Sequence, residues 1–249
     1  MRKLVVALAC RNKGSRLYGK PLQNLDVENG ITILDNIVAC LQQVSAIDSI
    51  ILGIAEGVEN DTFVDYAIKN KLKYIRGDET DVLGRLIQCG EHVNATDIFR
   101  STSESPFPFF DMIDQCWTQH VNHNNHATFL DEIIDGCGFE ILSFDALKKS
   151  HRDGGDKHRS ELCTLYIREN KDQFIIEYID PPIQLKRKDI RLTVDYPEDL
   201  IVCRAVYKNF KHRAPNIPLL DVVNYLDDNT QLLKLTSPFC EEGYNTMYL

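Results

Sequence analysis

The sequence predicts a Rossmann-like three-layer α/β/α fold, in which a mainly parallel, mixed sheet lies between two layers of helices. Segments with strand and helix patterns alternate four times in the first half of the chain, which is typical of a parallel sheet. The first strand segment, residues 4–9, is apolar throughout and indicates a strand covered on both faces. A chain of 249 residues is long enough for one such domain, and no internal repeat or linker divides it.

The elements of the first half follow each other at short intervals. Ile33, Ile37 and Leu41, for example, recur at the spacing of a helix that buries one face. The predicted strands are residues 4–9, 49–54, 73–76 and 97–100, and the predicted helices are residues 32–44, 61–69, 81–92 and 110–120. Ligands of such sheets lie beyond the carboxyl ends of the strands. We therefore expect the loops 11–21, 76–81 and 101–106 to meet at one crevice.

The second half of the chain is less regular. The predicted strands are residues 127–130, 138–142, 173–178 and 191–194, and the predicted helices are residues 144–149, 160–169, 197–206 and 216–226. Pro197 favours a helix start, because proline is well tolerated in the first turn. We interpret residues 1–249 as a single domain with a small excursion at residues 127–180.

Composition argues against several classes of protein. The 28 basic and 37 acidic residues give a net charge of −9, which argues against a general nucleic-acid binder. The eight cysteines form no CxxC pair and are scattered, which argues against a zinc knuckle and a disulfide framework. The first apolar run is about seven residues, short for a signal peptide, and no segment reaches the ~20 apolar residues of a membrane span. These features predict a cytoplasmic protein with reduced, buried thiols and no membrane partner.

The loop after the first strand carries the clearest chemical signal. Residues 11–21 combine glycines with cations, and glycines let backbone N–H groups approach phosphate oxygens while cations neutralise a triphosphate. Residues 14–20 also fit the GxxxxGK part of a P-loop. Pro21 follows where a P-loop needs a magnesium-binding hydroxyl, so we reject that interpretation. A solvated basic loop is the structural alternative.

This loop resembles the signature of a cytidylyltransferase family. The family includes 3-deoxy-manno-octulosonate cytidylyltransferase, acylneuraminate cytidylyltransferase and the SpsF-like proteins of spore-coat polysaccharide synthesis. The residues that match its loop in order are Arg11, Ser15, Arg16, Leu17, Gly19, Lys20, Pro21 and Leu22, whereas Cys10 and Tyr18 replace a usual alanine and proline. Four further segments match in the family's order, namely residues 76–85, 100–106, 136–140 and 193–200, and residues 159–167 are a weaker match that lacks the family's histidine.

The resemblance implies a nucleotide site on this loop. Lys20 and Arg16 would bind the triphosphate of CTP, and Arg11, Gly14 and Ser15 would lie near the triphosphate or the base. Arg76 and Arg85 would face the nucleotide as well. For these last two arginines a surface salt bridge is the alternative.

The resemblance also implies a magnesium site. Glu104 and Asp195 would hold Mg²⁺, and together with Lys20 and Arg16 they form the expected catalytic set. Magnesium is commonly held by one or two carboxylates while phosphates complete the octahedron, which fits this pair. The family has aspartate where this chain has Glu104. The alternatives are a solvated loop carboxylate for Glu104 and a helix cap for Asp195.

The implied reaction joins CTP and an acidic sugar to give a CMP-sugar and pyrophosphate, for the synthesis of surface polysaccharide or another glycan. Glu140 and Arg159 would bind the acceptor, with a structural role as the alternative for Glu140. The family resemblance further implies a homodimer built partly through residues 127–180. A glycosyltransferase of related fold remains open, although it would need a DxD-type motif where this chain has Ser103-Glu104-Ser105. A catalytically drifted nucleotide-binding protein also remains open.

Two other patterns favour structural roles. Asp81 stands where a helix begins and is interpreted mainly as its cap. The histidines at positions 120, 123 and 126 have a spacing that suggests a metal site, but a solvated loop is the preferred interpretation.

Overall fold

A seven-stranded sheet forms the centre of the structure, a computed structural model that describes residues 2–14 and 16–247. The strands of the chain are β1 Leu4–Cys10, β2 Asn24–Asp26, β3 Ile31–Thr32, β4 Ile47–Ala55, β5 Lys73–Gly77, β6 Asp97–Arg100, β7 Ala127–Leu130, β8 Phe139–Ser143 and β9 Ile176–Tyr178. The order in the sheet is β5-β4-β1-β6-β8-β7-β9, and β2 and β3 form a separate antiparallel pair. Only β8 runs antiparallel to its neighbours in the large sheet, which confirms a mainly parallel, mixed sheet.

Helices cover both faces of this sheet. They are α1 Ile33–Leu41, α2 Asp61–Lys69, α3 Val82–Val93, α4 Ile113–Asn122, α5 Phe144–Asp153, α6 Leu165–Glu169, α7 Pro197–Phe210, α8 Leu219–Asp228 and α9 Thr230–Met247. Alternate side chains of β1 enter two separate cores. Val6 belongs to the core that includes residues of α1, α2, α4, α7 and α8, whereas Val5 belongs to the core that includes residues of α3, α5 and α6. The three-layer prediction is therefore confirmed.

Local sequence sets several helix starts. Thr32 caps α1 by accepting a hydrogen bond from the Asp35 backbone N–H at 3.0 Å, and the Asp35 carboxylate accepts one from the Thr32 backbone N–H at 2.8 Å. Asp81 caps α3 by accepting from the Gly84 N–H at 2.7 Å, so its interpretation as a cap is confirmed. Pro197 occupies the first turn of α7, as predicted.

Three predicted features differ from the structure. Residues 191–194 form no strand, and Arg191 makes only an isolated bridge with Asp135. Of the helix predicted at residues 160–169, only Leu165–Glu169 is helical, as α6. Residues 127–180 do not leave the main sheet but supply β7, β8 and β9 to it.

The cysteines and the lengths of the helices can also be compared with the predictions from sequence. All eight cysteines lie in the described part of the chain, and each is buried and free of disulfides. No helix of the described residues is long and apolar enough to cross a membrane.

Candidate active site

Two cavities open at the carboxyl ends of the central strands. The first, the loop cavity, has a volume of about 320 Å³ and is lined by the loop after β1 together with Val82 and Arg85 of α3. The second, the strand cavity, has a volume of about 310 Å³ and is lined by residues around β7 and β8. They share a wall, which consists of Arg16, Arg100, Ser101, Thr102, Glu104, Glu161 and Asp195. The predicted crevice is therefore a pair of adjoining cavities. The loops 11–21 and 101–106 contribute to their lining, whereas the prediction was wrong for residues 76–81, which line neither cavity.

Glycines shape the loop that lines the loop cavity. Gly19 has φ +60°, a left-handed conformation that suits glycine, and its N–H donates to the Asn12 carbonyl at 2.8 Å. A Cβ at Gly14 would collide with the Leu17 carbonyl oxygen, so this position has no room for a side chain. Asn12 is buried and its backbone N–H donates to Asn60 Oδ1 at 2.8 Å. These contacts tie Gly19 to Asn12, and Asn12 to Asn60, at the two ends of the loop.

Lys20 and Asp195 meet at the junction of the two cavities. Lys20 Nζ lies 2.6 Å from Asp195 Oδ1, and both side chains are less than one-fifth exposed. Burial disfavours the charge on Asp195, but Lys20 and Arg191 outweigh it and hold its pKa below the usual value. Asp195 therefore stays ionised and lies next to a cation.

A buried arginine, Arg191, contacts three carboxylates, one of which is Asp195. Arg191 is 2% exposed, pairs with Asp135 and Asp195, and donates from Nε to Asp199 Oδ1 at 3.0 Å. Burial raises the pKa of Asp135 to about 6, although Arg191 opposes the shift. Asp199 Oδ2 accepts from the N–H groups of Asp195 and Tyr196, each at 2.9 Å. The helix cap is therefore Tyr196, the cap suggested for Asp195 is wrong, and Asp199 has a structural role.

Glu104 lies in the shared wall, on the loop that follows β6. Its carbonyl accepts from the Val194 N–H at 3.2 Å, which ties this loop to the segment that carries Asp195. Its carboxylate accepts one hydrogen bond among the described residues, from Ser103 Oγ at 3.3 Å. Burial raises the pKa of Glu104, Lys20 opposes this and the charge of Asp195 adds to it. Glu104 is therefore not the solvated loop carboxylate of the alternative interpretation.

Arg85 places a buried positive charge at the inner end of the loop cavity. It is 1% exposed, and one terminal nitrogen donates to the carbonyls of Asp78 and Glu79 at 2.8 and 3.1 Å. Within the described residues no carboxylate pairs with it, and its Nε has no hydrogen-bond partner. Burial lowers the pKa of Arg85. The surface salt bridge proposed as its alternative is wrong, and a buried guanidinium without a carboxylate suits an anionic ligand.

Glu140 of β8 is fixed in the wall of the strand cavity. Arg100 Nη1 lies 2.7 Å from Glu140 Oε2, while Thr164 Oγ1 and Arg168 Nη2 donate to Oε1 at 2.8 and 3.0 Å. Burial opposes the charge of Glu140, but the two arginines hold its pKa below the usual value. Arg168 also pairs with Asp131 at 2.7 Å. This wall therefore offers fixed carboxylate oxygens, which accept hydrogen bonds.

The structure brings most of the candidate residues together, but not all. Arg11, Gly14, Arg16, Lys20, Arg85, Glu104, Glu140 and Asp195 line one cavity or both. Arg76 instead pairs with Asp61 at 2.7 Å and donates to the Gly57 carbonyl, so its salt-bridge alternative is correct. Arg159 donates to the His151 carbonyl at 3.2 Å and lines neither cavity. Ser15 lies outside the described residues.

The three spaced histidines do not form a metal site. His120 is buried, with Nε2 3.1 Å from Asp97 Oδ1, so it is not in a solvated loop either. His123 lies 3.0 Å from Glu177, and His126 Nδ1 accepts from the Ile175 N–H. Among the described residues no group of three or more His, Cys, Asp or Glu has the arrangement of a metal site.

The sequence of the chain also matches a known protein family. The sequence profile described as Cytidylyltransferase matches residues 5–231 of the chain. The chain belongs to the cytidylyltransferase family. It is thus a CTP-dependent nucleotidyltransferase.

Individual relatives of this cytidylyltransferase agree in sequence and in fold. The spore coat polysaccharide biosynthesis protein SpsF of Bacillus subtilis is 24% identical over 234 residues, 92% of this chain and 96% of that protein. A cytidylyltransferase structure from Leptospira borgpetersenii has a TM-score of 0.83 at 19% identity and covers 94% of this chain and 97% of its own. CMP:2-keto-3-deoxy-manno-octonic acid synthetase, solved with CTP, has a TM-score of 0.61 at 14% identity and covers 83% and 99%. These structures show the same fold.

Sequence reasoning missed several residues of this cytidylyltransferase site. Arg191, Asp135 and Asp131 were not candidates, because a buried charge is recognised only when its partner in the fold is known. Arg100 stands inside a matched segment, and that position was the one signal available for it. Phe239 lies beyond the matched region and gave no signal at all.

Lys20→Ala is expected to weaken CTP binding by about 10- to 100-fold, the effect of losing one charged hydrogen bond. Lys20 is the ammonium that the Gly19 turn directs into the loop cavity beside the shared wall. Calorimetric titration of CTP into the two proteins measures the change. Lys69→Ala, at an exposed position of α2, is the matched control, and equal affinity in Lys20→Ala and the parent would remove Lys20 from the site.

Proposed function

We propose that this cytidylyltransferase activates an acidic sugar of the octulosonate or nonulosonate type with CTP, giving a CMP-sugar and pyrophosphate for the synthesis of a surface polysaccharide or another glycan. The observation that carries the proposal is the wall shared by the two cavities, because it places Glu104 and Asp195 between them. CTP in the loop cavity and a sugar in the strand cavity would react across this wall. The relationship to SpsF and the fold shared with the synthetase support the acceptor class.

The cations of the loop cavity suit the triphosphate. Lys20 carries an ammonium at the junction, and Arg85 carries a guanidinium at the inner end that no described carboxylate neutralises. Arg11 and Arg16 add two further positive charges, and the compact Gly14 turn lets the chain come close to phosphate. These groups would hold the triphosphate and neutralise the charge that grows as the α-phosphorus is attacked.

Magnesium fits the carboxylates of the shared wall. Glu104 and Asp195 are close enough for the charge of Asp195 to raise the pKa of Glu104, and both line the two cavities. Two carboxylates with phosphates completing the octahedron are a common magnesium arrangement. When bound, the ion would polarise the α-phosphate and stabilise the pyrophosphate that leaves. Lys20 and Arg191 keep Asp195 ionised, and both contact its carboxylate.

The strand cavity supplies the acceptor side. Asp131 and Glu140 would accept hydrogen bonds from sugar hydroxyls, since both are held in place by Arg168. Arg16 and Arg100 place positive charge in the shared wall, where the carboxylate of an acidic sugar would lie. The sugar's anomeric hydroxyl would then attack the α-phosphorus and pyrophosphate would leave on the side of the loop cavity.

A homodimer through residues 127–180 is part of the proposal. The strand β9 is an edge of the sheet, and Ile175 and Tyr178 are about half exposed there, at 51% and 49%. Such an edge presents unpaired backbone groups to another chain. Sedimentation equilibrium is expected to give twice the chain mass of 28.5 kDa, and a monomer at micromolar concentration would contradict the dimer.

A matrix of nucleotides and acceptors tests the function. Each nucleoside triphosphate is combined with a panel of acidic sugars, pyrophosphate release is measured, and the products are identified by mass spectrometry. We expect release with CTP and one acidic sugar, and a product with the mass of the CMP-sugar. A related glycosyltransferase would consume a sugar nucleotide without pyrophosphate, and a drifted nucleotide-binding protein would release none with any pair.

A further inference from the structure

The C-terminal helix forms part of the strand cavity, although the family match ends before most of it. Phe239 of α9 lines this cavity, whereas the matched region stops at residue 231. The helix therefore adds a surface to the acceptor side that the shared family segments do not supply.

Phe239 belongs to an aromatic stack beside the shared wall. Its ring lies 3.9 Å from the ring of Tyr196, with an interplanar angle of 13°. The Arg16 guanidinium lies 4.8 Å from the same Tyr196 ring, and Arg16 Nη1 donates to the Tyr196 hydroxyl at 3.0 Å. Because Tyr196 directly follows Asp195, this stack places an apolar surface next to the proposed reaction centre.

The helix holds Phe239 in place. Thr236 and Cys240 on either side of it are buried, at 1% and 8% exposure, and Cys240 Sγ donates to the Asp189 carbonyl at 3.5 Å. Leu232 and Leu233 pack against the main core one to two turns earlier. The aromatic surface is thus preorganised, so little entropy is lost when a ligand contacts it.

The walls of the strand cavity suit a ligand that has both hydrogen-bonding groups and an apolar face. Asp131 and Glu140 present fixed carboxylate oxygens, whereas the half-buried Phe239 presents apolar surface. A pyranose ring has this character, since its hydroxyls lie around the rim and its C–H groups form an apolar face. Aromatic side chains contribute large apolar contacts with defined orientation.

We propose that α9 determines acceptor specificity, with Phe239 as the residue that contacts the C–H face of the acceptor sugar. The assignment rests on the proposed function, because that function places the acceptor in the strand cavity. The Tyr196–Phe239 stack orients the ring so that its hydroxyls meet the carboxylates of the opposite wall and its anomeric hydroxyl reaches the shared wall.

The kinetic test compares Phe239→Ala with its parent, using CTP together with N-acetylneuraminate or 3-deoxy-manno-octulosonate. We expect the KM for the sugar to rise about 5- to 10-fold, the loss of one aromatic contact, while the KM for CTP changes less than about 2-fold. Phe239→Tyr keeps the ring and should retain the parental sugar KM. Leu235→Ala, one turn earlier at a position 38% exposed, is the control and should match the parent. Equal increases in both KM values, or the same change in Leu235→Ala, would show a structural role and overturn the proposal.

A binding measurement separates this proposal from the reaction itself. Saturation-transfer difference NMR detects which protons of the same two sugars contact the protein, and it needs no turnover. We expect signals from the protons of one ring face with the parent and their loss with Phe239→Ala. If no acceptor is converted but these signals behave as expected, the proposed function fails, whereas the contact between Phe239 and the sugar ring is supported. If neither sugar gives face-selective signals with the parent, the α9 assignment is wrong.

Discussion

Asp195→Asn is expected to reduce turnover by at least about 10²-fold, the scale of losing one electrostatic contact to a transition state, while the fold stays intact. The amide keeps the size of the side chain but removes the negative charge that would hold magnesium. It also leaves Lys20 without the carboxylate that now lies 2.6 Å away. Steady-state rates over a magnesium titration measure the loss, since the variant should need more metal and still remain slow.

The stability of this variant gives a second, independent result. The pKa of Asp195 is held below its usual value, so its ionised form contributes stability above the unfolded-state pKa, and this contribution is lost as the pH falls. Asp195→Asn should therefore lower the free energy of unfolding at neutral pH by about 1–3 kcal/mol and should matter less in acid. Asp189→Asn, where the side chain is 60% exposed and pairs with Arg187, is the control for a surface aspartate. Full turnover in excess chelator, or an active Asp195→Asn enzyme, would refute the metal role of Asp195.

The fold was predictable from sequence wherever burial alone decides the pattern. Strand β1 is covered on both faces and therefore reads as a continuous apolar run, and α1 is recognisable from its periodic apolar face. The segment 191–194 also has apolar residues, Leu192 and Val194, and both are buried. They enter the core from an irregular segment because Arg191 turns inward to three carboxylates. The local spacing of apolar residues cannot predict ion pairs between residues that are distant in sequence.

The sequence located the main residues of the site but did not distinguish two of its candidate arginines. Segment matches located Lys20, Glu104 and Asp195, and the topology then placed them at one edge of the sheet. The same matches could not separate Arg76 from Arg85, since both are arginines beside the same loop. Their positions in the fold distinguish them. Arg76 lies on β5 and pairs with Asp61 at the surface, whereas Arg85 lies on the buried face of α3.

Glu104 is the position at which this chain departs from the aspartate of its family resemblance, and two accounts of it make opposite predictions. In the first, Glu104 is a working ligand whose longer side chain is accommodated by its loop. Ser103 donates to its carboxylate at 3.3 Å and is itself anchored to the Ala9 carbonyl at 2.8 Å. In the second, the site has drifted and binds nucleotide without turnover. The structure favours the first, because a half-buried carboxylate beside the charge of Asp195 is costly to the fold, and a site that binds nucleotide without turnover does not need it.

Glu104→Gln is therefore expected to lose about 10²-fold or more in turnover, because magnesium prefers anionic oxygen. Its stability should change in the opposite direction. Burial raises the pKa of Glu104, so the ionised form destabilises the folded state above the unfolded-state pKa, and removing the charge should raise the melting temperature at neutral pH. The increase should vanish in acid, where glutamate is protonated in both states, and exposed Glu91→Gln should change neither property. Glu104→Asp should retain measurable turnover. If the parent releases no pyrophosphate with any acceptor while Glu104→Asp does, the site has drifted and the proposed activity does not belong to this chain.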